Sequence, residues 1–194
     1  MKKKIVLAST SRYRAELLRR LQFPFAVSQP CVAEAALQHE LPTATALRLS
    51  LEKAISVMGQ YPGALIIGSD QVAEQDGLPI GKPGTRAAAR RQLNAMRGQS
   101  LIFHTGVALI DADTGHSQSI VIPTTVVFRE YSVVEIERYL DLEDALDCAG
   151  SAKSEGLGVA LMASMQSNDP TALVGLPLIA LCGMLRQEGF NVLE

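Results

Sequence analysis

Several residues have the types and spacing for phosphate chemistry. Ser9 and Ser11 stand at the start of a helical pattern, with Arg14 one turn in. Hydroxyls and free backbone N–H groups at a helix start bind anions, the helix dipole favours negative charge there, and a guanidinium adds a fork of donors suited to phosphate. Serine caps are common, so these residues taken alone read first as a capped surface helix with an exposed arginine. Asp70 follows the apolar run 64–68. There it reads as a carboxylate just past the end of a buried strand, where α/β sheets hold their ligands. It could bind a metal ion or take a proton from water, but an aspartate in a turn after a strand is at least as common. Lys53 leaves the polar side of a helix, by default a solvated face, and Lys82 lies in a Gly-Lys-Pro turn where a lysine can approach a phosphate closely. Glu34 follows an irregular, proline-bearing segment. It could share a hard cation such as Mg²⁺ with Asp70, or stand as an exposed acid.

Other chemistries find no support. There is no GxxxxGK[ST] loop and no GxGxxG, and Ser9 and Ser11 lack the glycines of a nucleophile elbow. His39, His104 and His116 have no metal-ligand spacing, and His104 reads as structural within a strand pattern. Cys31, Cys148 and Cys182 form no CxxC pair and read as reduced thiols. With 18 basic against 20 acidic residues the chain lacks the basic excess of a nucleic-acid-binding surface. The apolar run after the first lysines stops at Ser9, short of the ~7–15 residues of a secretory signal, and no stretch approaches the ~20 apolar residues of a membrane span. These features predict a cytoplasmic protein with no nucleic-acid or membrane partner.

The positioning elements follow from the pattern. A strand over 4–8 leads through Ser9-Thr10-Ser11 into a helix with Tyr13, Leu17, Leu18 and Leu21 as its apolar positions. Residues 22–42, with three prolines, read as irregular. A second helix over 43–58 places Leu47, Leu51, Ala54, Ile55 and Met58 on one face, with Lys53 opposite. A buried strand over 64–68 ends at Ser69-Asp70-Gln71. Thr85 caps a helix through Met96, stopped by Gly98, and strands over 101–110 and 119–128 flank Asp113-Thr114-Gly115. Ser132 and Glu135 form a capping box. Residues 148–158 read as a small-residue loop, 159–162 as a strand, and Pro177 starts a last helix ended by Gly189. Alternating strands and helices with one hairpin predict an α/β fold with a mixed sheet flanked by helices, in one domain over 1–194.

The ordered motifs resemble the Maf family over nearly the whole chain. They are Leu7-Ala8-Ser9-Thr10-Ser11-Arg12-Tyr13-Arg14, Arg48 with Glu52-Lys53-Ala54, Gly68-Ser69-Asp70-Gln71-Val72, Gly81-Lys82-Pro83, Thr105-Gly106, Cys148-Ala149-Gly150-Ser151, Ser154-Glu155-Gly156 and Val174-Gly175-Leu176-Pro177-Leu178. The resemblance implies an elongated, two-lobed body like that of the Maf and ITPase proteins, with a central nucleotide cleft. It also implies a divalent metal (Mg²⁺ or Mn²⁺), frequent homodimers, and cleavage of a nucleoside triphosphate to monophosphate and diphosphate. By position it makes Asp70 the catalytic proton acceptor. Ser9, Ser11, Arg14, Lys53 and Lys82 become substrate-binding residues, and Glu34 joins Asp70 as a metal partner. Ala33 stands where the family usually has an acidic residue. Tyr13, Gln71 and Glu155 resemble the specificity positions of the subgroup acting on 7-methyl-GTP. Glu155 would neutralise the cationic N7-methylguanine ring and Tyr13 would stack on it, unless Tyr13 is a core aromatic of the Leu17 face. The alternatives are a dTTP/UTP pyrophosphatase of the same family and a non-enzymatic nucleotide sensor acting on septum formation.

Overall fold

The computed structural model describes residues 3–194. The first apolar run is strand β1 (Lys4–Ala8), and the turn after it feeds helix α1 (Arg12–Arg19), capped by the Ser11 hydroxyl, which accepts from the Arg14 N–H. Strand β2 (Phe25–Ser28) follows inside the segment expected to be irregular. It pairs in parallel with β1 at the sheet edge and buries only Ser28, so it has almost no apolar periodicity to betray it. Helix α2 (Pro42–Met58) starts on a proline, whose missing N–H costs nothing in a first turn. Then come β3 (Ala64–Gln75), β4 (Leu78–Ile80), α3 (Arg86–Met96), β5 (Ser100–Asp111), β6 (Ser117–Phe128), α4 (Val133–Leu142), β7 (Met162–Ser167) and α5 (Leu178–Gln187). Thr85 caps α3, the Ser132–Glu135 capping box starts α4, and Gly115 turns the β5–β6 hairpin at φ +73°.

The strands form one mixed sheet in the order β2-β1-β3-β5-β6-β7, with β4 hydrogen-bonded to the far end of β3. Three cores use it. Alternation along β3 sends Leu65 and Ile67 to a core shared with α1 and α5, and Ile66 to a core under α2 on the other face. The far ends of the long strands, at Ala73, Leu101, Phe103, Val126 and Phe128, build a further core with α3 and α4. The body therefore has two lobes strung along β3, β5 and β6. No helix among the described residues is long and apolar enough to cross a membrane.

Three expectations are corrected. Strand β3 does not end at Gly68. It runs to Gln75, so Asp70 lies in mid-strand opposite Gly106 rather than in a turn. Polar residues survive there because each has a partner: Ser69 Oγ lies 2.8 Å from both the Gly106 and Gly175 carbonyls, and Gln71 donates to Thr105 Oγ1. Helix α2 uses only part of the expected face: Ala54 is buried and Leu51 and Met58 pack against the core beneath it, but the rest turns outward. Leu47 and Ile55 are exposed, whereas Ala46, Leu49, Ser50, Lys53, Ala54 and Val57 are buried. The reason is close approach. A methyl added at Gly68 would lie 2.0 Å from the Ser50 carbonyl oxygen, and one at Gly106 would lie 2.3 Å from that of Ala46, so the helix rests its small residues directly on the strand backbones. Lastly, residues 157–161 form a 3₁₀ turn rather than a strand, and β7 begins at Met162.

Candidate active site

Helix α2 lying against β3 brings Lys53 to Asp70. Lys53 is buried, contrary to the solvated position its side of the helix implied, and its Nζ lies 2.6 Å from Asp70 Oδ1 and 2.6 Å from Glu34 Oε1. The hydrogen bond from Lys53 holds the Glu34 carboxyl below its ordinary range. Partial burial opposes this, and the charges of Lys53, Lys82 and Arg14 add to the lowering. An ammonium has three N–H donors, so one remains for a further acceptor. The irregular segment carrying Glu34 is pinned from behind by Arg48. Its Nε and Nη2 reach both oxygens of Glu40 at 2.7 Å, its Nη2 donates to the Ala35 carbonyl, and its Nη1 reaches Glu52 at 3.0 Å.

The β1–α1 turn faces this group. Ser9 is buried, and its Oγ accepts from the Ser11 N–H at 3.1 Å and from Arg14 Nη1 at 3.4 Å. Arg14 also donates from Nε to the Gly175 carbonyl at 2.8 Å, which leaves its Nη2 without a partner among the described residues. Burial lowers the Arg14 pKa, against the pull of Asp70 and Glu34, but a guanidinium stays charged throughout the working range. Gly175 has φ +117°, a conformation that side chains avoid, and this turns its carbonyl toward both Arg14 and Ser69. Lys82, exposed in its Gly-Lys-Pro turn, makes no ion pair among the described residues.

Ser9, Ser11, Arg14, Glu34, Lys53, Asp70 and Lys82 line one cavity of about 800 Å³, and so do Tyr13, Gln71 and Glu155. Tyr13 thus faces the cleft and not the core, with its hydroxyl 3.3 Å from Asp147 Oδ2. The Gln71 amide nitrogen is ringed by Thr105 Oγ1 and the carbonyls of Ala172 and Leu173, at 2.9 to 3.1 Å. Those acceptors fix the amide orientation and leave Oε1 without a partner among the described residues. Glu155 is exposed at the rim. Two cleft residues had drawn no attention in the sequence: Asp147 and Lys153, which pair at 3.1 Å. The signal was present, since Lys153 is the single basic residue of the small-residue stretch 148–158.

No group of three or more His, Cys, Asp or Glu side chains gathers as a metal site among the described residues. The donors nevertheless suit a hard cation. Glu34 and Asp70 converge on one Nζ, and each keeps a second oxygen without a hydrogen bond among the described residues. Mg²⁺ is commonly held by one or two carboxylates and completed by substrate phosphates.

Fold and site together define an α/β protein whose cleft sets a cluster of cations and hydroxyls beside a pair of carboxylates. A family model described as Maf-like protein matches residues 4–188, and the chain belongs to that family. It is 58% identical to the 7-methyl-GTP pyrophosphatase of Aromatoleum aromaticum over 186 residues, covering 96% of each chain. It is 53% identical to the protein of that name from Cupriavidus pinatubonensis, covering 96% of this chain and 94% of the other. The likeness to that from Xanthomonas axonopodis pv. citri is also 53%, with 97% and 98% covered. Among solved structures, a nucleoside-triphosphatase (dITP/XTP pyrophosphatase) from Mycobacterium abscessus superposes with a TM-score of 0.46 at 15% identity, over 96% of this chain and 95% of that one, too distant to bear on the site.

Proposed function

We propose that this chain hydrolyses 7-methyl-GTP to 7-methyl-GMP and diphosphate, as a single-domain enzyme of the cytoplasm. The observation that carries the reading is the Glu34–Lys53–Asp70 group on the floor of a cleft whose wall is Ser9, Ser11 and Arg14, with Lys82 at its edge. A binding protein needs the cations. It does not need a carboxylate aimed at the same place. The relatives named for this activity, at 51–58% identity, supply the substrate.

In this reading Arg14 Nη2, the third Lys53 donor and Lys82 bind the phosphate chain, and the Ser9–Ser11 turn seats it at the start of α1. Water attacks the α-phosphorus and gives a proton to Asp70. The new P–O bond forms as the bond to the bridging oxygen breaks, and diphosphate leaves with its charge met by the cations. A divalent cation held by Glu34 and Asp70 would, when bound, neutralise phosphate charge and polarise the α-phosphate. At the base end, Glu155 and the Gln71 Oε1 accept from the N–H edge of the purine. The test is product analysis after incubation with 7-methyl-GTP, with Mg²⁺ and with excess chelator. Monophosphate and diphosphate formed only with the metal are expected. Release of orthophosphate, or full turnover in chelator, would contradict the reading.

A further inference from the structure

The base end of the cleft contains a fixed positive charge. The Lys153 side chain is 4% exposed, and its Nζ donates to the Asp144 carbonyl, lies 3.1 Å from Asp147 Oδ1 and 3.9 Å from Glu143 Oε1, and stands 5.6 Å from the centre of the Tyr13 ring. Burial lowers the Lys153 pKa, but its contacts with Tyr13 and Asp147 outweigh that and leave it above the usual lysine range. The same pair holds the Asp147 carboxyl below its ordinary range, although burial pushes the other way. Both groups are therefore charged at neutral pH. A second cation, the Arg12 guanidinium, lies 4.8 Å from the Tyr13 ring centre, and its Nη2 donates to the Tyr13 hydroxyl at 2.7 Å.

This arrangement bears on how a cationic base is chosen. The Tyr13 ring already faces two cations, so its π-face has less attraction to offer a third. An uncompensated Lys153 would repel an N7-methylated ring. Asp147 is placed to prevent that: half-exposed, on the cleft wall, with one oxygen on Lys153 and the other accepting from Tyr13. We infer that Asp147 is a specificity-determining residue, which cancels the buried Lys153 charge beside the base and so lets the cleft prefer a cationic purine over a neutral one. The inference rests on the proposed 7-methyl-GTP activity and deepens it.

Kinetics of D147N, K153M and the double variant with 7-methyl-GTP and GTP test this, read as the ratio of the two kcat/KM values. Asp147→Asn should lower the ratio about tenfold, the scale of one unit charge acting across a partly wet cleft. Lys153→Met should raise it, and the double variant should return it toward wild type. A loss of packing alone would lower both substrates together and leave the ratio fixed, which would overturn the inference. If D147N fails to fold, K153M decides the matter alone, since an unchanged or lower ratio is incompatible with Lys153 opposing a cationic base. The wild-type ratio is a separate readout. Should it not exceed one, the substrate reading fails, whereas a wild-type preference that the variants leave unmoved rejects only the role of Asp147.

Discussion

Asp70 is held at 2.6 Å by a buried ammonium, and its exchange for an amide changes charge while keeping shape. Asp70→Asn should remove turnover, with kcat down by two or more orders of magnitude, on the scale of lost general-base catalysis of roughly 10²–10⁴-fold. Lys53 keeps Glu34 as a partner in that variant, so the thermal midpoint should stay within a few degrees. Near-wild-type kcat at saturating metal would take the proton-acceptor role from Asp70. Lys82 differs in that it is exposed and has no partner among the described residues, so folding does not depend on it. Lys82→Ala should raise KM for the nucleotide several-fold without moving the thermal midpoint, and unchanged steady-state constants would return Lys82 to an ordinary surface lysine. The residues that carry these expectations were legible as an ordered set of motifs, not as a geometry. Spacing alone could not reveal that Lys53 is buried. It lies opposite the large apolar residues of α2, and only Gly68 and Gly106, which admit the helix backbone onto the sheet, turn that side inward.

Helix α2 and strand β3 therefore act as one positioning device. Gly68→Ala would force the Ser50 carbonyl and the Ala54 backbone away from the strand. Overpacking of this kind costs about 1–3 kcal/mol. The variant should lower the thermal midpoint and cut kcat together, because Lys53 lies between Ser50 and Ala54. A stable, fully active variant would show that the close approach is not what aligns the pair. The segment before α2 depends on Glu40, whose carboxylate accepts from Arg48, the Leu37 N–H and the Thr45 hydroxyl and is held at about 2 chiefly by Arg48. The folded pKa lies below that of the unfolded chain, about 4.3. The stabilisation from Glu40 is therefore full above that value and fades as pH falls toward about 2. Thermal unfolding of wild type and Glu40→Gln should show a gap that is constant at neutral pH and narrows through that acid window. A gap independent of pH would deny the linkage. Element ends with side-chain caps, at Ser11, Thr85 and Ser132, could be read from the sequence because capping is local chemistry. β2 and the outer half of β3 could not, because their side chains do not alternate in polarity, β1 and β5 reach them from far along the chain, and the local hairpin to β4 is too short to show a period.

At the scale of the whole molecule, two cores at opposite ends of the long strands leave a cleft between them, and its walls come from segments as distant as 9–14 and 147–155. One wall presents hydroxyls and cations, which the proposed function gives to the phosphates. The floor pairs carboxylates with Lys53, and Glu155, Asp147, Lys153 and Tyr13 line the part of the cleft that the proposed function gives to the purine. The mixed α/β sheet was legible from alternating apolar runs. Lys153 stands out as the single basic residue of the stretch 148–158, but its pairing with Asp147 was not legible, because no periodicity there fixes which side chains meet. In the proposed function this cleft selects a nucleotide by the charge of its base and cuts it at the α-phosphate. The most direct measurement is kcat/KM for diphosphate release from 7-methyl-GTP, GTP, dTTP and UTP at saturating Mg²⁺. 7-Methyl-GTP should give the highest value, and GTP a lower one set by the missing methyl charge. Faster hydrolysis of dTTP or UTP, or binding without diphosphate release from any of the four, would contradict that function.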